Sequence, residues 1–148
     1  MRSIIAFLLI LALLTLMIWA NKGGARDFVS LTAVIYILVS VLVSSLLSFS
    51  LREISLAFKV LWGRAEATET NCRRAALIFK AMRARSLTFG VLGAFVGGIL
   101  ILTKLEGLSR IGPNVAIASL SLFYGIFLSE LIFRPMVETA EKKAVSEG

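Results

Sequence analysis

The sequence predicts an all-α membrane protein: four transmembrane helices with a short cytoplasmic helical hairpin extension. Three observations predict it. Of the 148 residues, 58% are hydrophobic, and the mean hydropathy is +0.91. A soluble domain of this length cannot bury that much apolar surface. Apolar runs occupy residues 4–20, 28–49, 87–103 and 111–133, close to the roughly 20 residues a helix needs to cross roughly 30 Å of hydrocarbon. Finally, the basic side chains segregate. Arg2, the eight between Arg52 and Arg85, and Arg134, Lys142 and Lys143 make twelve on one side, against Lys22, Arg26, Lys104 and Arg110 on the other. Lys and Arg concentrate in cytoplasmic loops, so both termini and the middle connection are expected in the cytoplasm.

The first run follows Arg2 and has the look of a secretory signal. Its end, Ile18-Trp19-Ala20-Asn21, lacks the small-x-small cleavage pattern, and a second span follows at once, so it reads as a retained helix. Connections 21–27 and 104–110 are short, which makes spans one and two, and spans three and four, antiparallel neighbours. In the middle connection, 50–86, Leu51, Ile54, Phe58, Leu61 and Trp62 recur at helical spacing and extend the second helix beyond the membrane. Residues 63–71 form a turn, with Thr70 or Asn71 as N-cap. Ala75, Ile78, Phe79 and Met82 then make an apolar stripe leading into the third span. Such a hairpin packs on itself, on neighbouring copies, or on a docked partner. The tail, 134–148, carries Pro135, Glu138, Glu141, Lys142 and Lys143 and reads as an exposed, partly frayed helix end.

Composition narrows the chemistry. The net charge of +7 would suggest nucleic acid in a soluble protein, but the loop distribution accounts for it. Membrane lipids are the expected surroundings, and no nucleic acid is expected. Histidine is absent and Cys72, in a basic loop, is the one cysteine. That leaves no disulfide within the chain, no zinc ligand set and no common general base. The sequence points away from an enzyme, and no cofactor or metal is expected.

Two spans carry small residues on one face: Gly90, Gly93, Gly97 and Gly98 on the third, and Ala118, Ser121, Gly125 and Ser129 on the fourth. Small residues let membrane helices approach closely and gain van der Waals contact where no hydrophobic force drives association. Two readings stand: packing within one chain, or an oligomer with a central assembly. The first two spans, richer in Leu, Ile and Val, form the outer layer. Glu130 is the one ionisable side chain inside a span, four residues before Arg134. It serves either as half of an interfacial salt bridge or in function. No carboxylate sits at the middle of a span, so a titrating group at that depth must come from another protein.

The segment Ile111-Gly112-Pro113-Asn114-Val115-Ala116-Ile117-Ala118, continuing through Phe123-Tyr124-Gly125 to Phe133-Arg134-Pro135, resembles the last membrane helix of the MotA/TolQ/ExbB family. In that family a Gly-Pro pair opens the helix, a Tyr-Gly follows and a Pro ends it. Phe89-Gly90-Val91-Leu92-Gly93-Ala94-Phe95-Val96-Gly97 resembles the preceding helix, and Phe49-Ser50-Leu51-Arg52-Glu53 the exit from the second. The resemblance implies a pentamer of this chain, its third and fourth helices surrounding the single membrane helices of two B-type partner subunits. Each partner would carry an essential aspartate, and proton or sodium flow would drive rotation or force. It implies that Ser121 and Tyr124 line the ion path. Gly90, Gly93, Ala94, Gly97, Ala118, Leu122 and Gly125 would pack the partner helices, and Gly112, Pro113, Glu130, Arg134 and Pro135 would be structural.

The sequence also departs from the family. Ile117 stands where the TolQ and ExbB branch has an acid, leaning the chain toward the MotA side. The long cytoplasmic insertion of MotA-type stators is far shorter here. Leu87 replaces a proline, Ala94 a frequent threonine, and Leu122 the threonine of the last helix, with Ser121 beside it as a substitute hydroxyl.

Overall fold

A computed structural model describes residues 31–66, 68–103 and 108–146. The first predicted span and its connection to the second lie outside the described residues. Five α-helices and one π turn make up the rest: α1 (Leu31–Leu46), α2 (Leu51–Leu61), α3 (Glu69–Thr103), α4 (Leu108–Phe127), the π turn (Leu128–Phe133) and α5 (Arg134–Ser146). Among the described residues there is no strand. Two helical stretches, Glu69–Thr103 and Ala118–Ser146, are long and apolar enough to cross a membrane, and α1 with α2 makes a third if the bent pair counts as one. The protein is an integral membrane protein.

Helix α1 buries a narrow stripe, Ala33, Ile37, Val41 and Ser45, spaced every four residues so that one row of side chains faces α3 and α4. Its other faces carry exposed Ile35, Leu38, Val39, Leu42 and Val43. The Ser45 hydroxyl donates to the Val41 carbonyl at 2.6 Å, so this buried polar group is satisfied within its own helix.

The expected straight extension of this helix is not what forms. The chain turns by 110° between α1 and α2. Ser50 starts a new helix with a capping box: its side-chain oxygen accepts from the Glu53 amide, and the Glu53 carboxylate accepts from the Ser50 amide at 2.9 Å. Arg85 of α3 sits at the corner, donating to the Ser48 hydroxyl at 2.6 Å and lying over the Phe49 ring at 5.6 Å. At the other end of α2, Gly63 adopts φ 67°, the Gly63 amide donates to Val60 and the Arg64 amide to Lys59. This Schellman pair needs a residue that tolerates left-handed backbone, which glycine does without strain.

The amide hydrogen bond from Ser50, its hydroxyl and the nearby Arg74 hold the Glu53 carboxyl below the ordinary glutamate range, against a partial loss of hydration. A carboxyl depressed in the folded state contributes stability above its unfolded pKa and loses it as the pH falls through the folded one. Thermal stability should therefore drop as the pH is lowered through about 4.3 and below. Glu53→Gln should flatten that part of the profile; identical profiles for the two proteins would show that the box contributes nothing.

Helix α3 runs unbroken for 35 residues, about 52 Å at 1.5 Å per residue. It starts at Glu69, earlier than the expected caps Thr70 and Asn71, with the Cys72 amide donating to the Thr68 carbonyl. Cys72, expected in a loop, is buried inside this helix. The N-terminal half of α3 forms the core of a small helical head. Phe79 and Met82 are fully buried with Ile54, Ala57, Ala75 and Ile78, and Phe58 meets Phe79 edge-on at 5.2 Å. The hairpin thus packs on itself.

The tail completes that head instead of fraying. Val137, Ala140 and Ala144 of α5 are buried, at the spacing of one helical face. Lys143 donates to the Val60 and Leu61 carbonyls at 3.0 and 2.9 Å, adding a cation to the carbonyl end of α2. Lys80 pairs with Glu141 at 2.6 Å.

Candidate functional site on the antiparallel α3–α4 pair

The apolar half of α3 lies against α4 through their small residues. Gly90 faces Gly125, Gly93 faces Ser121, and Gly97 faces Ala118. Numbers rise along α3 as they fall along α4, so the helices are antiparallel, as the short connection predicts. The approach is close. A β-carbon on Gly125 would stand 2.6 Å from the Gly90 Cα and 2.7 Å from the Ser86 carbonyl oxygen. One on Gly97 would stand 2.6 Å from the Ala118 Cβ. At Gly93 the neighbours are the Ser121 side chain and the Tyr36 ring of α1.

These contacts divide the residues that the sequence grouped as packing a partner helix. Gly90, Gly93, Gly97, Ala118 and Gly125 join α3 to α4 within one chain, so the space they open is filled by the chain's own backbone. Ala94 and Leu122 are different. They line an open groove of about 610 Å³ with Val91, Phe95, Gly98 and Leu102. Among the described residues its lining has no titratable side chain, so the groove is apolar. Ser121 is 4% exposed, packed behind Gly93, and Tyr124 packs partly buried against the core that holds Ile37 and Phe79. Both face into the helix cluster and away from the groove. Gly112 lies inside α4, which begins at Leu108, so the Gly112-Pro113 pair falls one turn into the helix and does not open it.

The end of the pair nearer that head is tied by charge. Arg83 donates to Glu130 Oε1 through Nη2 at 2.6 Å and through Nε at 3.2 Å. Arg134 reaches Glu130 Oε2 at 3.2 Å and Glu138 at 3.2 Å. The Glu130–Arg134 pair expected from sequence is present; Arg83, the closer partner, was not expected. Its signal lay in the topology, because antiparallel neighbours bring the start of the third span beside the end of the fourth. Glu130 sits in a π turn that ends with the Arg134 amide donating to Ser129. Pro135 has no amide hydrogen and its ring collides with the carbonyl four residues earlier. Widening the preceding turn by one residue relieves both, and such turns recur at functional sites.

No family model matches the chain. Three curated proteins do, each in part. The chain is 33% identical over 81 residues to the uncharacterized protein YtxD of Bacillus subtilis, covering 55% of this chain and 30% of that protein. It is 31% identical over 80 residues to the chemotaxis protein PomA of Vibrio alginolyticus, with 48% and 32% covered. Over 71 residues it is 31% identical to motility protein A of Borreliella burgdorferi, with 48% and 27% covered. The chain thus spans about a third of the length of the curated relatives it matches. The similarity is to motility and chemotaxis proteins, at the level of a MotA-like relationship.

Proposed function

We propose that this chain is a proton or sodium channel subunit of a rotary or force-transducing motor in a bacterial inner membrane. It has four spans with both termini cytoplasmic, and five copies surround the membrane helices of two single-span B-type partners. The observation that carries the reading is the similarity to PomA and to motility protein A over about half the chain. The apolar groove beside Ala94 and Leu122 is the surface that would receive the partner helix. With no carboxylate of its own at mid-span, the chain takes its titrating group from the partner's aspartate. Ser121 and Tyr124, on the side of α4 turned away from the groove, are the hydroxyls assigned to the ion path.

Native mass measurement of the chain co-expressed with a single-span partner should give five copies and two. A lone monomer or dimer would remove the proposal. With the partner present, Ser121→Ala should lower ion flux; unchanged flux would take Ser121 out of the path. A second reading, a non-conducting scaffold of the same assembly, rests on Leu122, 38% exposed on the groove. An apolar lining dewets and conducts poorly. Leu122→Thr should raise flux in a conductor and change nothing in a scaffold.

A further inference from the structure

Helix α2 buries Ile54, Ala57 and Val60 and turns its opposite face outward. Leu51 and Trp62 on that outer side are 70% and 69% exposed. Arg52 and Lys59 are exposed beside them and belong to none of the ion pairs among the described residues. The Arg64 guanidinium lies 5.8 Å above the Trp62 ring. Large exposed apolar groups interleaved with unpaired cations are not a usual water-facing surface.

Contacts with α3 show which edge of α2 faces the bilayer. Glu53 reaches Arg74 at 3.6 Å, and Val60 clusters with Cys72; both are on the part of α3 farther from its apolar half. Phe58 instead meets Phe79, nearer the membrane, and the corner at Ser48 meets Arg85, nearer still. Leu51, Ser55, Phe58 and Trp62 follow one another at four, three and four residues, a single helical stripe. That stripe is the membrane-side edge. The 110° turn from α1 carries α2 along the bilayer surface and not away from it.

We propose that α2 is an interfacial helix bound to anionic phospholipid. Leu51 and Trp62 enter the headgroup layer, and Arg52, Lys59 and Arg64 pair with phosphates beside them. Indole rings settle at that depth because they are apolar with one polar edge. Long basic side chains lie along apolar surface while their charge stays with the headgroups. A second copy of this chain fits the face poorly, since two such faces would bring like charges together. This inference rests on the membrane reading alone and is independent of the motor proposal.

The test uses the full chain carrying Trp19→Phe, which leaves Trp62 as the single tryptophan. The protein is reconstituted in phosphatidylcholine vesicles with or without phosphatidylglycerol, either lipid brominated high on its acyl chain. Trp62 emission should be blue-shifted, quenched by the brominated lipids, and quenched more by phosphatidylglycerol. Arg52→Gln with Lys59→Gln, at unchanged helical circular dichroism, should reduce that anionic preference about thirtyfold, given the attraction of each cation to an anionic surface. Water-like emission quenched by aqueous iodide would overturn the proposal. So would shielding from iodide and brominated lipid alike, which would mean that protein covers the face. Equal quenching by the two lipids would remove the charge recognition.

Discussion

Gly125→Ala will part the α3–α4 pair. The new methyl group would lie 2.6 Å from the Gly90 Cα and 2.7 Å from the Ser86 carbonyl oxygen. Both are backbone atoms, which cannot swing aside as a side-chain tip can. The helices must separate along their contact, losing the packing at Gly93–Ser121 and Gly97–Ala118 together. Overpacking of this kind costs about 3 kcal/mol, and dispersion is the main force holding membrane helices. Detergent unfolding monitored by circular dichroism should show the loss. Gly98→Ala is the control: nothing lies within 4 Å of the β-carbon it adds, so the same change one residue from Gly97 should leave the midpoint unchanged. Equal stability of the two variants would show that the close approach at Gly125 is not made.

Phe79→Ala will open the helical head while leaving the α3–α4 pair closed. Phe79 is fully buried where α2, α3 and α5 meet, with Phe58 edge-on and Ile54, Ala57, Val137 and Ala140 in the same core. Truncating a buried phenylalanine costs about 3–5 kcal/mol through lost transfer energy and the remaining cavity. In a head this small, that is a large part of what holds it. Limited trypsin digestion should accelerate at Arg73, Arg74 and Lys80, whereas the Gly90–Gly125 contact, about 16 Å farther along α3, should persist. Phe79→Leu, which keeps most of the volume, should cost much less. Resistance of the alanine variant to trypsin would show that the head does not depend on this ring.

Much of the architecture was legible because lipid imposes a simple rule on sequence: an apolar run of the right length is a helix. The stripe Ala75, Ile78, Phe79 and Met82 correctly joined the middle connection to the third span as one helix. The corner before α2 was harder. Residues 47–50 contain neither Gly nor Pro, and Leu51, Ile54 and Phe58 keep helical spacing, so hydropathy reads straight through. The signal was the Ser50-x-x-Glu53 capping pair, which marks a start and not a continuation. In α5 the buried face is only Val137, Ala140 and Ala144, too small to outweigh the charges around it.

The site was legible in kind but not in assignment. Small residues on two helices announce a close contact, yet within a bilayer the same glycines serve a neighbour in the chain or a neighbour in an assembly. Nothing in Gly90 or Gly125 distinguishes the two cases. The outward position of Leu122 and the inward position of Ser121 differ by one residue, or 100° around the helix, and only the packing of α4 on α3 decides between them.

Helix α3 passes from groove to head with no break, and mechanics follows from that continuity. Gly125 packs on its backbone at Ser86, which divides it into two arms. The arm beyond, residues 69–86, is about 27 Å long. A tilt of about 5° imposed on the intramembrane arm therefore sweeps the far tip through about 2 Å, since a continuous hydrogen-bonded helix bends only gently.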